Sequence, residues 1–191
     1  TDNHQKLIEA SKYFKKPIIN ALSDISHPCQ SISDLLTIKE HFGKLDCNIL
    51  WMGDMNNVCF SLVELSSIFT ELNLFVCTHE KISSKLQWKF SKNIQLEHNL
   101  KNINLDKIDC VMTDVYISMN DGKDNLYKDR YLKNYIVDSL LMNQTNDKCI
   151  FMHCLPAKIG SEVSKDVIEG TIASTLFSLL NGANILRVHD L

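Results

Sequence analysis

Residues 48–71 read NILWMGDMNNVCFSLVELSSIFTE, and the fold class is decided there. The opening NILWM is too short for a helix, and its aliphatic and aromatic content suits a strand buried on both faces. Gly53-Asp54-Met55-Asn56 then supplies turn residues. From residue 57 to 71 the period becomes helical, with Val58, Leu62, Leu65 and Phe69 on one face. The alternation continues outward from this unit. Residues 74–77, 94–97, 110–113 and 149–153 are further candidate strands, and residues 31–42, 83–90 and 131–143 further candidate helices. Residues 92–107, drifting toward Asn, Lys and Ile, otherwise predict solvated connections. Strands of about five residues alternating with amphipathic helices predict an α/β fold: a three-layer domain with a mostly parallel sheet.

Composition excludes several function classes. The chain has 191 residues, 45% of them hydrophobic and 23% charged, with a mean hydropathy of −0.10, which is ordinary globular composition. No apolar run approaches the ~20 residues of a membrane-spanning helix. A net charge of −3 and a pI near 6.1 give no electrostatic footprint for nucleic acid. Seven cysteines form neither a CxxC pair nor finger spacing, so zinc is not expected; most sit in apolar runs, where a thiol acts as a small hydrophobe. That usage fits a reducing, cytoplasmic compartment. The start at Thr1, polar and without Met, suggests a fragment or processed product.

Ligands of such sheets collect beyond the carboxyl ends of the strands, which singles out the residues just after each strand. Gly53-Asp54-Met55-Asn56-Asn57 follows the first strand, Asp114 to Met119 the fourth, and Cys154-Leu155-Pro156 the fifth. A further element, His27-Pro28-Cys29-Gln30, opens the helix at 31–42. Each has a plain structural alternative. His27-Pro28 is equally a turn and helix start; Asn56 and Asn57 are equally helix caps; Asp114 is equally an ordinary strand-end carboxylate; His153 and Cys154 are equally a satisfied core pair. Gly53-Asp54 lacks the GxGxxG pattern, so dinucleotide binding is unsupported. Read functionally, His27 donates to a carbonyl oxygen gaining negative charge, and Asp114 holds an amine.

In chain order these segments run HPCQ (27–30), GDMNNV (53–58), TDVYISM (113–119) and HCLPA (153–157). That series resembles the ornithine carbamoyltransferase family from about Leu7 to Gly170, including PIINALSDISHPCQSISDLLTIKEHFG at 17–43. HCLPA, in place of the HPLPR of aspartate carbamoyltransferases, points to the ornithine type. The resemblance implies transfer of a carbamoyl group from carbamoyl phosphate to the δ-amine of L-ornithine, giving citrulline and phosphate, in arginine biosynthesis or a related pathway. It implies no cofactor and no metal. His27, Pro28, Cys29, Gln30, Cys154 and Leu155 would contact carbamoyl phosphate, with His27 and Cys154 catalytic. Asn57, Asp114, Ser118 and Met119 would hold ornithine. The expected partners are those two small molecules and further copies of the chain, trimeric by resemblance, with no nucleic acid and no membrane.

Two departures qualify the resemblance. Only Arg130 and Arg187 occur in the chain, and the Ser-Thr-Arg-Thr phosphate loop of the family's first domain is missing. Planar arginine forks are the usual device for a phosphate dianion, so this polypeptide alone is expected to bind carbamoyl phosphate poorly. A non-catalytic remnant that keeps an amino-acid-binding domain is therefore the alternative. The expected division is a remnant of the carbamoyl-phosphate-binding domain at 1–24, an ornithine-binding domain at 25–170 and an atypical helix and strand at 171–191. The last segment, ending ILRVHDL, resembles the close of dihydropteroate synthases, with Arg187 and His189 at phosphate-contacting positions; it is equally a closing amphipathic helix and edge strand. Apolar faces left by the missing domain predict self-association.

Overall fold

The computed structural model describes residues 1, 3–84, 90–117 and 127–169. Ser118 and Met119, and the whole dihydropteroate-synthase-like tail at 171–191, lie outside the described residues. The element order is α1 (His4–Ser11), α2 (Pro28–Phe42), β1 (Asn48–Met52), α3 (Asn57–Ile68), β2 (Asn73–Cys77), α4 (Glu80–Ser83), β3 (Ile94–Glu97), β4 (Cys110–Thr113), α5 (Tyr127–Leu132), α6 (Ser139–Met142) and β5 (Ile150–His153). Two short 3₁₀ turns, Leu100–Asn102 and Leu105–Lys107, link β3 to β4.

The five strands form one sheet in the order β3-β2-β1-β4-β5, and every pairing is parallel. Alternate side chains of each strand enter opposite cores, as the pleat requires. Ile49 and Trp51 face α2 and α3, joining Leu35, Ile38, Val58, Leu62, Leu74 and Met112. Leu50 and Met52 face the other way, with Val111, Ile103, Ile108, Val137, Leu141 and Val163. Both faces are covered, which is why NILWM reads as a continuous apolar run rather than an alternating one. The predicted three-layer parallel arrangement is thus observed. The chain runs outward from β1 to β2 and β3, then returns to the other side of β1 for β4 and β5. The order reverses between β1 and β4, a topological switch point where two strand ends open onto one crevice.

Element bounds shift for identifiable reasons. α2 starts at Pro28, three residues before the expected start at 31, because proline at the first helical position costs no hydrogen bond; Gly43 ends it at φ 71°. α3 stops at Ile68, with Phe69 at φ −93°, ψ 81° outside the helical region. The helix expected at 131–143 is two helices. Asp138 breaks it as the N-cap of α6, its side chain accepting from Leu141 N–H at 2.9 Å, while Val137 is drawn into a parallel bridge with Val163. Of the helix expected at 83–90, residues 85–89 lie outside the described residues; the single turn α4 precedes it, meeting it only at Ser83, and is capped by His79, whose ring accepts from Lys81 N–H. β2 gains Asn73, and β5 begins at Ile150 rather than Cys149.

The first 25 residues lie mostly on the outside. α1 buries no residue and is tied by its own ends: the Thr1 amine reaches Leu22 O at 2.8 Å and His4 N–H reaches Asp24 Oδ1 at 2.6 Å. Tyr13, Phe14 and Ile19 are exposed here, as are Ile32 and Leu36 on α2. No helix among the described residues is long and apolar enough to cross a membrane. Cys47, Cys59, Cys77 and Cys110 are buried, all seven cysteines are free thiols, and burial pushes the Cys77 thiol up to about 12.

Candidate functional site

The crevice at the switch point is built from the ends of β1, β4 and β5 and the start of α2. β1 leaves the sheet through Gly53, whose φ of 110° is a conformation L side chains rarely adopt. A Cβ there would stand 2.5 Å from Tyr116 Cε1, so glycine is required by space as well. Gly53 N–H donates to Cys77 O, and Trp51 Nε1–H to Asp54 O at 2.8 Å, closing the turn over the sheet edge. The Asp54 carboxylate turns inward to a buried ion pair with Lys128 Nζ at 2.8 Å, which ties the turn to α5.

Asn56 then starts α3. Its Oδ1 accepts from the N–H groups of Val58 and Cys59, both at 3.1 Å, satisfying two donors the first helical turn leaves open. Its Nδ2 donates to Asp114 Oδ2 at 2.6 Å. Asp114, just past β4 and 8% exposed, also accepts from Val115 N–H at 2.8 Å and from the Cys154 thiol at 2.9 Å, both through Oδ1. Three donors therefore converge on this carboxylate at the end of β4. Burial first, and then the facing Asp114 charge, push the Cys154 thiol far up. The sulfur is accordingly a protonated donor rather than a thiolate.

α2 comes to the crevice from the side. His27 is its N-cap residue, and its backbone N–H donates to Ser61 Oγ on α3 at 2.8 Å, with Ser26 Oγ 3.0 Å from the same hydroxyl. Pro28 occupies the first helical position, and the Cys29 thiol turns back to Asn20 O at 3.6 Å. Gln30 donates to Asp34 Oδ1 at 2.8 Å, and Asp34 lies close enough to contribute to the raised Cys154 thiol. Asn57 Nδ2 donates to Ser23 O at 2.7 Å. The structure thus brings Asp114 and Cys154 into direct contact and joins both to the α3 start through Asn56. Gln30 is linked to that pair through Asp34, whereas the contacts of His27 and Asn57 described above run to Ser61 and to the Ser23 carbonyl.

Leu155 has φ 45°, unusual for a residue with a side chain. Its N–H donates to His153 Nδ1 at 2.9 Å, and His153 Nε2 faces Glu162 Oε1 at 3.5 Å. His153 and Cys154 are consequently not paired with each other, as the core-pair alternative had it; each is engaged elsewhere. Burial pushes the Glu162 carboxyl up, but the His153 ring and the N–H groups of Lys158 and of Glu162 itself outweigh it and hold it below the usual range. Tyr116, 2% exposed, is driven far up by burial and then by the Glu162, Asp129 and Asp54 charges.

Among the described residues, the group whose donor atoms converge as a metal site would need is Asp114, His153 and Cys154, within 4.8 Å of one another. Those atoms already hydrogen-bond: the thiol proton points at Asp114 and His153 Nδ1 takes Leu155 N–H. As arranged, they form a hydrogen-bonded cluster rather than a set of open ligands.

Sequence reasoning passed over four contributors. Asn56, weighed only as a cap, also holds Asp114. Asp34 is one helical turn beyond Gln30, a spacing that a search for paired side chains on α2 would have found. Lys128 and Glu162 lie 74 and 9 residues from the partners Asp54 and His153, and no local pattern marks them.

The sequence model of the aspartate/ornithine carbamoyltransferase Asp/Orn-binding domain matches residues 45–183. The model of the carbamoyl-P-binding domain of the same family matches residues 1–40. An ornithine carbamoyltransferase of Methanobrevibacter smithii is 40% identical over 177 residues, covering 87% of this chain and 58% of the relative. One from Methanocaldococcus jannaschii is 38% identical over 178 residues, with the same coverage of 87% and 58%. Among solved structures, the ornithine carbamoyltransferase from Pyrococcus furiosus superimposes with a TM-score of 0.76 at 31% identity, over 88% of this chain and 56% of that one. The enzyme from Thermus thermophilus gives 0.72 at 29% identity, over 89% and 56%. The chain therefore spans less than three-fifths of the length of these two curated relatives.

Proposed function

The chain belongs to the aspartate/ornithine carbamoyltransferase family, and from that premise we propose that it is the amino-acid-binding part of an ornithine carbamoyltransferase. The observation that carries the reading is Asp114: a carboxylate at the switch point, held by Asn56, Val115 N–H and the Cys154 thiol. A terminal ammonium needs a fixed anion shielded from bulk water, and Asp114, 8% exposed, is paired with no cation among the described residues.

In the proposed reaction the δ-nitrogen of L-ornithine attacks the carbamoyl carbon of carbamoyl phosphate. The ammonium first gives one proton to solvent, which frees its lone pair; a C–N bond then forms, the C–O bond to phosphate breaks with its electron pair leaving on phosphate, and a second proton of the nitrogen passes to the departing phosphate. Asp114 orients the amine so that its lone pair meets the carbon, which converts a bimolecular encounter into a local step. Cys154, kept protonated beside Asp114, shares that proton-bearing environment. His27 and Gln30, with Pro28, Cys29 and Leu155 around them, receive the carbamoyl group, and His27 stabilises the oxygen that gains charge. Asn57, Ser118 and Met119 complete the amino-acid side of the pocket.

The reading extends to the family's co-substrate carbamoyl phosphate, to arginine-related metabolism yielding citrulline, to a reducing cytoplasm and to a homotrimer. It assigns 1–24 to the phosphate-binding domain, 25–170 to the ornithine-binding domain and 171–191 to a separate ending. Calorimetry with L-ornithine is the direct test: binding in wild type and none in Asp114→Ala is the expected outcome, and no binding in wild type would overturn the reading. Citrulline formation, compared with a His27→Ala control, then separates a catalytic chain from one that only binds.

A further inference from the structure

His153 ends β5 with its side chain 1% exposed, facing the Glu162 side chain at 0%. A ring nitrogen accepts a hydrogen bond only through its lone pair, so the bond from Leu155 N–H at 2.9 Å places the ring proton on Nε2. Nε2 faces Glu162 Oε1 at 3.5 Å, and the same oxygen accepts Lys158 N–H. One carboxylate thus ties the ring to the far limb of the loop, and the ring ties itself to the near limb. Between these limbs stands Cys154, whose thiol donates to Asp114 Oδ1. Leu155 at φ 45° does not hold that conformation by its own preference; the bond to Nδ1 opposes its return to extended backbone.

We infer that His153 is a positioning residue: through Nδ1 it fixes the Leu155 backbone and so seats the Cys154 thiol on Asp114. Glu162 orients the ring, but at 3.5 Å its contact is longer than a hydrogen bond, so the Nδ1 acceptor carries the effect. The inference deepens the proposed function, and rests on it only for what the seated thiol and carboxylate then receive.

Two substitutions of similar polarity separate the ring's two ends. His153→Asn places an amide oxygen near the position of Nδ1 and keeps an acceptor for Leu155 N–H; His153→Gln carries its polar group toward the Nε2 end and removes that acceptor. The readout is the rate at which iodoacetamide alkylates Cys154 in the ligand-free full chain, followed by peptide mass mapping, with Cys59 and Cys110 as buried internal references. A seated, protonated thiol reacts slowly, so His153→Asn is expected within about twofold of wild type and His153→Gln about tenfold or more faster at Cys154 alone. A loss of fold without loop specificity would move both variants alike and expose Cys59 and Cys110. Equal rates in the two variants overturn the inference. If His153→Gln fails to fold, His153→Ala, which also lacks the acceptor, takes its place: a rate about tenfold above that of His153→Asn supports the role of Nδ1, and equal rates overturn it. Adding L-ornithine to wild type in the same assay tests the other reading separately. Protection of Cys154 supports the proposed function, and its absence counts against ornithine without altering the comparison of the two variants.

Discussion

The turn after β1 and the loop after β5 meet at the same crevice but are held in different ways. Residues 53–57 are fixed by backbone geometry and near neighbours: a glycine at positive φ, a helix cap, and an indole bonded to the carbonyl three residues on. The loop from His153 to Glu162 is fixed by buried side chains that reach across it. The first is a local solution that other chains with the same few residues would adopt. The second exists only because the core closes over an imidazole and a carboxylate. The lesson is that a site can place one wall by chain stiffness and the opposite wall by buried polar contacts, and the two should fail differently.

Substitutions in the first wall should lower global stability, starting with the largest effect. Lys128→Met strands the Asp54 carboxylate, 4% exposed, without its cation; removing one partner of a buried pair costs about 3–5 kcal/mol. Urea unfolding should show that loss, and the double variant Asp54→Asn/Lys128→Met should recover most of it. A double variant no better than Lys128→Met alone would mean the pair is not the tie between β1 and α5. Gly53→Ala introduces a Cβ 2.5 Å from Tyr116 Cε1 at φ 110°, for an expected loss of about 2–3 kcal/mol in the same measurement. Asn56→Ala removes the α3 cap, worth about 1–2 kcal/mol, and also takes a donor from Asp114, so stability and ornithine affinity should fall together. Asn57→Ala removes the bond from its amide to the Ser23 carbonyl and should cost about 1 kcal/mol; an equal loss from both asparagines would erase the distinction between them.

The second wall should respond to acid with the smallest global effect. The Glu162 carboxyl is held below its ordinary value in the folded chain. Its contribution to stability is therefore complete above the ordinary carboxylate pKa and is lost as pH falls through the lower folded value. Melting temperatures of wild type and Glu162→Gln should differ at neutral pH and converge toward strong acid. Curves that stay parallel would show that the charge of Glu162 does not stabilise this wall.

Much of the fold was legible in the chain. All five strands were expected: four are mostly apolar runs, because a strand covered on both faces admits little else, while β3, IQLE at the sheet edge, alternates; the bounds of 48–52, 94–97 and 110–113 agree with β1, β3 and β4. The helix expected at 131–143 failed where Asp138 caps a new helix and Val137 pairs with Val163; periodicity cannot see a partner that arrives from 26 residues away. The site was legible in part. Asp114 and Cys154, read from two separate strand ends, lie in direct contact in the structure. The work of Asn56 was hidden because the residue is also a cap, which explains it without any reference to Asp114.

What the sequence determined by itself is the layered α/β class, the strand ends that carry polar residues and the family to which the motifs point, because period, turn residues and short motifs are local properties of the chain. Tertiary structure alone decided that β4 returns beside β1, so that Asp114 meets Asn56. It also decided that Glu162 folds back beneath His153. Both follow from burial: a carboxylate or an imidazole inside a protein must find a partner, and only the closed core fixes which one is within reach.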